Sequence, residues 1–193
     1  YVKIWTESDS SIADAGTIPS TKRQFDFANL LKEELISIGL TNVQVTENCY
    51  VYALLPSTKQ ENTTSSICLL AHMDTSEEVS GKDVNPLLHK NYDGKILQLN
   101  SDISINPQND TYLAKTANTD DTIITSDGST LLGADNKAGI AEIVTALEYL
   151  CNHKEIEHCG IEVVFSPDEE TGHGMDKVPM DLIKSKVAYT VDG

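Results

Sequence analysis

The stretch Ile67-Cys68-Leu69-Leu70-Ala71-His72-Met73-Asp74 carries five consecutive apolar residues and then turns to a histidine and a carboxylate. An apolar run of that length, too short for a helix and without alternation, reads as a strand buried on both faces. Ile161 to Phe165 has the same character and runs into Ser166-Pro167-Asp168-Glu169-Glu170, while Val187 to Val191 runs into Asp192-Gly193. Val43 to Val45 and Tyr50 to Leu55 are shorter β-branched and aromatic runs, each a predicted strand.

Between these runs the apolar period becomes helical. Phe27, Leu30, Leu31, Leu35 and Ile38, after Pro19-Ser20-Thr21 and before Gly39, predict a helix over roughly 21 to 38. Ile140, Ile143, Val144, Leu147 and Leu150 predict a second helix starting near Asp135, and a last short helix is expected near 179 to 185. From Ser76 to Ser129 the chain is polar and broken by Pro86, Gly94 and Pro107, with only Lys95 to Leu99 strand-like, which predicts an elaborated loop region. Helices alternating with short apolar strands define the class as α/β, a mostly parallel twisted sheet covered on both faces. Strand order is not legible.

A chain of 193 residues is long enough for one domain with a real core. With 14 Lys+Arg against 30 Asp+Glu, its formal charge of -16 repels phosphate backbones and anionic headgroups, so neither nucleic acid nor a membrane surface is an expected partner. No stretch approaches the ~18 consecutive apolar residues of a membrane span. The four scattered cysteines, Cys49, Cys68, Cys151 and Cys159, do not form a secreted disulfide framework and fit a reducing cytoplasm.

Three predicted strands end in acidic or histidine residues, and in open α/β sheets ligands bind outside the carboxyl ends of the strands. His72 and Asp74, two residues apart on extended chain, share a face. A carboxylate there fixes the imidazole tautomer that a metal needs, although the same pair also arises by chance on surfaces. If the chain stays extended, Glu169 and Glu170 point in opposite directions, one to a metal and one to an attacking water. The Asp168-Glu169-Glu170 run is equally readable as a solvated acidic loop. Asp135 is placed as a helix N-cap, and Asp192 before Gly193 suits a turn. Spacing alone leaves each alternative open.

In order, His72-Met73-Asp74-Thr75, Ser80 to Pro86, Ser126-Asp127-Gly128 with Leu131 to Gly139, Ser166 to Glu170 and Tyr189 to Gly193 resemble the aminoacylase and carboxypeptidase-like family of zinc peptidases with paired metals. The likeness covers essentially the whole chain. Val84-Asn85-Pro86 and Asn91-Tyr92 are similar to the family's tripeptide aminopeptidases more than to its deacetylases and carboxypeptidases.

The resemblance implies that Asp135 bridges two metals, with His72 and Asp192 on one and Glu170 on the other. Asp74 would orient His72, and Glu169 would accept the proton. Two zinc ions are implied, and the carboxylate-rich set also suits manganese or cobalt. The implied substrates are short peptides, chiefly tripeptides, cleaved after the first residue; dipeptidases, carboxypeptidases and N-acyl amino acid deacylases of the family share the same ligands.

The family pattern also includes a distal histidine on the second metal and a smaller lid domain after Asp192-Gly193. Neither falls within residues 1–193, so the chain reads as the N-terminal segment of the catalytic domain, with its second metal site incomplete and little activity expected of it alone. Asn136 stands where the tripeptide aminopeptidases carry a second aspartate, which is not a ligand there, so the change is expected to be tolerated. His89, His153, His158 and His173 match no ligand position and read as surface or packing residues. Oligomeric state is not legible.

Two rival readings remain. Cys151, His153, His158 and Cys159 have the atom types of a structural zinc module without finger-like spacing. Alternatively, the strand-end acids hold a single magnesium ion in a non-catalytic α/β domain.

Overall fold

The computed structural model describes residues 1–59 and 66–192; Gly193, read above as part of the last motif, lies outside the described residues. In chain order the main elements are α1 (Ser10–Asp14), α2 (Gln24–Ser37), β1 (Thr41–Val45), β2 (Val51–Leu55) and β3 (Ile67–His72). The polar stretch that follows folds into small pieces. Strand β4 (Leu87–Lys90) and the pair β5 (Leu97–Gln98) and β6 (Ser104–Ile105) come first, then α3 (Thr111–Lys115) and β7 (Thr122–Thr125). The chain closes with α4 (Ala134–Asn152), β8 (Ile161–Ser166), a 3-10 turn over Glu169–Thr171, and β9 (Val187–Thr190).

The main sheet has the order β1-β2-β8-β3-β9. β8, β3 and β9 are parallel neighbours, β2 runs antiparallel to β8, and β1 runs antiparallel to β2. Four of the five strands therefore point one way, which is the expected mostly parallel sheet with one reversed member. Register sets the site. His72 lies opposite Ser166 across the β3–β8 pair, and Leu70 lies opposite Thr190 across β3–β9, so the residues just beyond Ser166 and Thr190 emerge level with His72.

Both long helices cover the same face. Phe27, Leu31 and Leu35 of α2 and Ile140, Ile143 and Leu147 of α4 close over Val51, Ala53, Ala71, Val163 and Phe165 in one core. Each large side chain of that kind contributes about 1.5–3 kcal/mol on burial. All six residues of β8 are buried, Glu162 among them, as suits a strand in the middle of a sheet.

The opposite face carries Tyr50, Tyr52, Cys68 and Val164, packed by Val178, Leu182 and Ile183. The helix expected at 179–185 does not form; Leu182 N–H closes a single turn onto the Pro179 carbonyl. The cause is Glu162, a buried carboxylate of β8. It accepts the amide N–H groups of Lys184 at 2.9 Å and Ser185 at 2.6 Å together with the Tyr52 hydroxyl at 2.8 Å. Amides bound to a carboxylate are taken from a helical ladder.

Of the strand expected over Lys95 to Leu99, only Leu97–Gln98 pairs, with Ser104–Ile105. Among the described residues no helix is long and apolar enough to cross a membrane.

Candidate metal centre

His72, the last residue of β3, is nearly fully buried and presents its two ring nitrogens to different partners. Nδ1 lies 3.1 Å from the backbone carbonyl of Asp74 and 3.4 Å from its carboxylate. Hydrogen on Nδ1 satisfies that carbonyl and leaves Nε2 free to bind a cation. Nε2 faces a ring of carboxylates: Asp135 Oδ1 at 2.9 Å, Glu169 Oε2 at 3.6 Å and Asp192 Oδ2 at 3.7 Å. His72, Asp135 and Asp192 each offer one donor atom within 4.8 Å of the others, the only such group among the described residues.

Asp135 is not the helix cap that its position suggested. Gly133 occupies the N-cap in a left-handed conformation, and Asp135 and Asn136 have non-helical backbone angles ahead of the regular helix. The Asp135–Asn136 peptide bond is cis. Asn136 is buried and donates its Nδ2 to the Val191 carbonyl at 2.9 Å, tying the start of α4 to the residue before Asp192. Gly139 permits this approach, since a Cβ there would lie 2.2 Å from the Val191 oxygen. Neither contact was expected from the sequence, although a glycine in the first turns of a helix signals close backbone approach.

The acidic run after β8 is not extended. Asp168 adopts a left-handed conformation (φ 54°, ψ 27°) and Glu169–Thr171 forms a 3-10 turn, so Glu169 and Glu170 do not simply alternate across a strand. The side chain of Asp74 fixes this turn, accepting Glu169 N–H at 3.0 Å on one oxygen and Glu170 N–H at 3.1 Å on the other. Asp74 thus touches both His72 and the backbone of the two glutamates, whereas the sequence suggested only the first contact. The turn brings the Glu169 carboxylate to His72 Nε2; Glu170 is exposed and interacts with Asp135 and His72 through their charges.

Electrostatics match the geometry. Burial opposes a charge on His72, but the hydrogen bond and charge of Asp74, followed by Glu169 and Asp192, outweigh it and raise its pKa to about 9. Partial desolvation by the walls of the site raises the Glu170 carboxyl above its ordinary value although the residue is largely exposed, Asp135 adds to the rise, and His72 opposes it. A field negative enough to hold a proton on an imidazole is one that attracts a divalent cation. A further buried group is Lys137, whose Nζ donates to the Ile4 carbonyl at 2.6 Å; burial lowers its pKa to about 8, with Asp74 acting the other way.

The cysteine and histidine cluster offered as a rival does not assemble. His153 Nδ1 pairs with the Tyr149 carbonyl and His158 Nδ1 with the Cys159 carbonyl, while Cys151 is buried. His89 contacts Thr125, and His173 lies between Asp14 and Asp176.

The fold of the chain is similar to that of solved peptidases. An aminopeptidase PepT from Bacillus cereus matches with a TM-score of 0.67 at 23% identity, covering 100% of this chain and 40% of that one. A tripeptidase from Staphylococcus aureus gives 0.66 at 24%, with the same coverage. At such identities the likeness speaks for the fold.

Sequence carries it further. The peptidase T of Alkaliphilus oremlandii is 48% identical over 200 aligned residues, which cover 100% of this chain and 47% of that protein. The chain is a homologue of peptidase T along its whole length, and it spans about half the length of the curated relatives it matches. No family model matches it.

Proposed function

We propose that the protein carrying this chain is a metal-dependent aminopeptidase that removes the N-terminal residue from short peptides, chiefly tripeptides. The observation that carries the proposal is the convergence of His72, Asp135, Asp192 and Glu169 at the ends of β3, α4, β9 and β8, in a chain homologous throughout to peptidase T.

The proposed pair of divalent ions would draw on an imidazole whose Nε2 faces carboxylates and on acids whose mutual repulsion a dication relieves. In this proposal His72 and Asp192 would hold one ion and Glu170 the other, with Asp135 shared between them. Zinc is the proposed metal, with manganese or cobalt compatible with the oxygen-rich set. When bound, the metals supply a polarised carbonyl and a water of lowered pKa. Glu169 takes the proton of the attacking water and returns it to the leaving amine. Asp74 holds His72 by Nδ1 and the glutamate turn by two amides, so the base and the ring keep a fixed separation.

The chain is proposed to be the N-terminal segment of the catalytic domain, the complete protein adding a lid domain and a further histidine ligand. Its coverage of about half of its relatives supports this. A cytoplasmic location is proposed as well, supported by four free cysteines, three of them buried.

The test uses the complete protein with a tripeptide, the matching dipeptide and an N-acyl amino acid. Release of the N-terminal residue from the tripeptide, abolished by chelation, is expected. Glu169→Ala should lower kcat by at least about 10²-fold with metal content intact. Preferential hydrolysis of the dipeptide or the N-acyl amino acid would move the assignment to a related hydrolase. A Glu169→Ala protein at near wild-type rate would remove Glu169 from its role.

A further inference from the structure

The loop that carries Glu169 and Glu170 is gripped from two sides. Asp74 takes its amides from the side of β3. On the other side stands Asp168, the residue immediately before Glu169 and fully buried. Its carboxylate accepts the Ser20 amide at 2.6 Å, the Ser20 hydroxyl at 2.5 Å and the Gln24 side-chain amide at 2.7 Å. Gln24 completes a two-way clasp, because its Oε1 accepts the Asp168 backbone N–H at 3.2 Å.

These partners are themselves fixed. Gln24, fully buried, is the first residue of α2 and also reaches Thr21, whose hydroxyl donates to the Glu7 carbonyl. The Ser20 hydroxyl accepts the Asp9 amide. The N-terminal segment and the head of α2 therefore form one frame against which Asp168 is set.

Burying a carboxylate is costly unless its hydrogen bonds are made, and here three donors make them. A satisfied buried carboxylate far from any site would need no further account. This one fixes the backbone one residue before the proposed base, in a left-handed conformation that is uncommon for a non-glycine residue. Gly174 presses the turn from beyond, where a Cβ would come 2.9 Å from Glu169 Cα.

We infer that Gln24 and Ser20, acting through Asp168, are positioning residues for the glutamate turn: they set where the Glu169 and Glu170 carboxylates stand relative to His72 and Asp135. The inference rests on the functional reading above, in which Glu169 is the base and Glu170 a ligand. The clasp is defined by connectivity, one donor and one acceptor passing between residues 24 and 168, and its charge sits on one partner only. Exchanging the two functional groups therefore separates geometry from charge. Asp168→Asn turns one carboxylate oxygen into a donor facing either the Gln24 side-chain amide or the Ser20 backbone N–H, and Gln24→Glu sets two carboxylates against each other. In the double variant the new side-chain amide at position 168 donates to the new carboxylate at position 24, which still accepts the backbone N–H of position 168.

The complete protein is assayed as wild type, Asp168→Asn, Gln24→Glu, the double variant and the milder Ser20→Ala. Readouts are kcat and KM on a tripeptide, zinc affinity of the metal-free protein, and Tm. Each single exchange is expected to lower kcat roughly ten- to hundredfold, the loss that displacement of a reacting group by about 1 Å produces, with KM changing little and zinc binding weakened. The double variant is expected to recover most of kcat and of the zinc affinity, and Ser20→Ala to show a smaller loss.

Single variants that lose Tm but keep kcat and zinc affinity overturn the inference, leaving the clasp as scaffolding only. A double variant as impaired as Asp168→Asn also overturns it, because the charge at 168 would then be what matters. If the wild type hydrolyses none of the peptides, it is the functional reading that fails, and the zinc affinities still decide the clasp.

Discussion

Replacing Gly139 by alanine separates local helix preference from the construction of the site. In an isolated helix the change is favourable by about 1 kcal/mol, since alanine is the best helix former and glycine among the worst. Here the new methyl would stand 2.2 Å from the Val191 carbonyl oxygen and 2.5 Å from Asn136 Oδ1. Reaching even 3.0 Å from that oxygen requires a separation larger by about 0.8 Å, and backbone must supply it.

The displaced carbonyl is the one that Asn136 holds at 2.9 Å, and it belongs to the residue before Asp192. Overpacking of this kind costs about 1–3 kcal/mol, and loss of the Asn136 bond adds about 0.5–1.5 kcal/mol. After the helix gain is subtracted, a net destabilisation of about 1–3 kcal/mol remains, a fall of roughly 1–4 °C in Tm for a complete protein about twice this length. Zinc affinity should fall with it, because Asp192 moves away from His72.

Thermal unfolding and zinc titration of metal-free Gly139→Ala in the complete protein measure both. A Tm equal to or above wild type, with zinc affinity within about twofold, would refute the close approach and the role given to it.

Other perturbations test the neighbouring contacts. Asp74→Asn should weaken metal binding by about 10–100-fold, because an amide nitrogen would then face a turn amide or His72 Nδ1; titration of the metal-free protein reads this, and unchanged affinity counts against Asp74 as the shared support. Glu162→Gln should cost about 2–3 kcal/mol near neutral pH through its amide and hydroxyl partners. Burial pushes the Glu162 carboxyl up, but bonds from Ser185, Lys184 and Tyr52 bring it below its ordinary value, so the difference should be present above about pH 4 and shrink as pH falls further; urea unfolding across that range checks it. Burial raises both the Cys68 thiol and the Tyr50 phenol to about 12, so the folded chain keeps protons that the unfolded chain loses. Stability contributed by these groups is complete below about pH 8.5 and lost as pH rises through 12, giving a lower urea midpoint at about pH 10.5 than at pH 8; equal midpoints would contradict it.

Much of this architecture was legible because burial on both faces leaves a plain trace. The run at Ile67 is apolar without alternation and that at Ile161 is apolar except for Glu162, and they became the adjacent inner strands β3 and β8. The α2 and α4 stripes were equally clear, since Phe27, Leu31 and Leu35, or Ile140, Ile143 and Leu147, recur at helical spacing on one face. What stayed hidden was polar and non-local. The reversed direction of β2 depends on pairing that no periodicity records. The apolar cluster at Val178, Leu182 and Ile183 suggested a helix, yet the deciding residue was Glu162, about twenty positions earlier in the chain. The acidic run looked extended because the partners that bend it, Ser20, Gln24 and Asp74, are roughly 95 to 150 residues away in the chain. Gln24 itself reads as an ordinary polar residue at a helix start, although it is fully buried.

The double use of Asp74 bears on motion as much as on position. Imidazole and glutamate turn are both referenced to one residue, the ring through its backbone carbonyl and the turn through its carboxylate, so breathing of the sheet at the end of β3 carries them together and largely cancels in their separation. Rotation of the Asp74 side chain, which would release the turn amides, is opposed by its complete enclosure. A scaffold built this way filters its own fluctuations, letting the surrounding loops move while the distance that matters for proton transfer stays quiet.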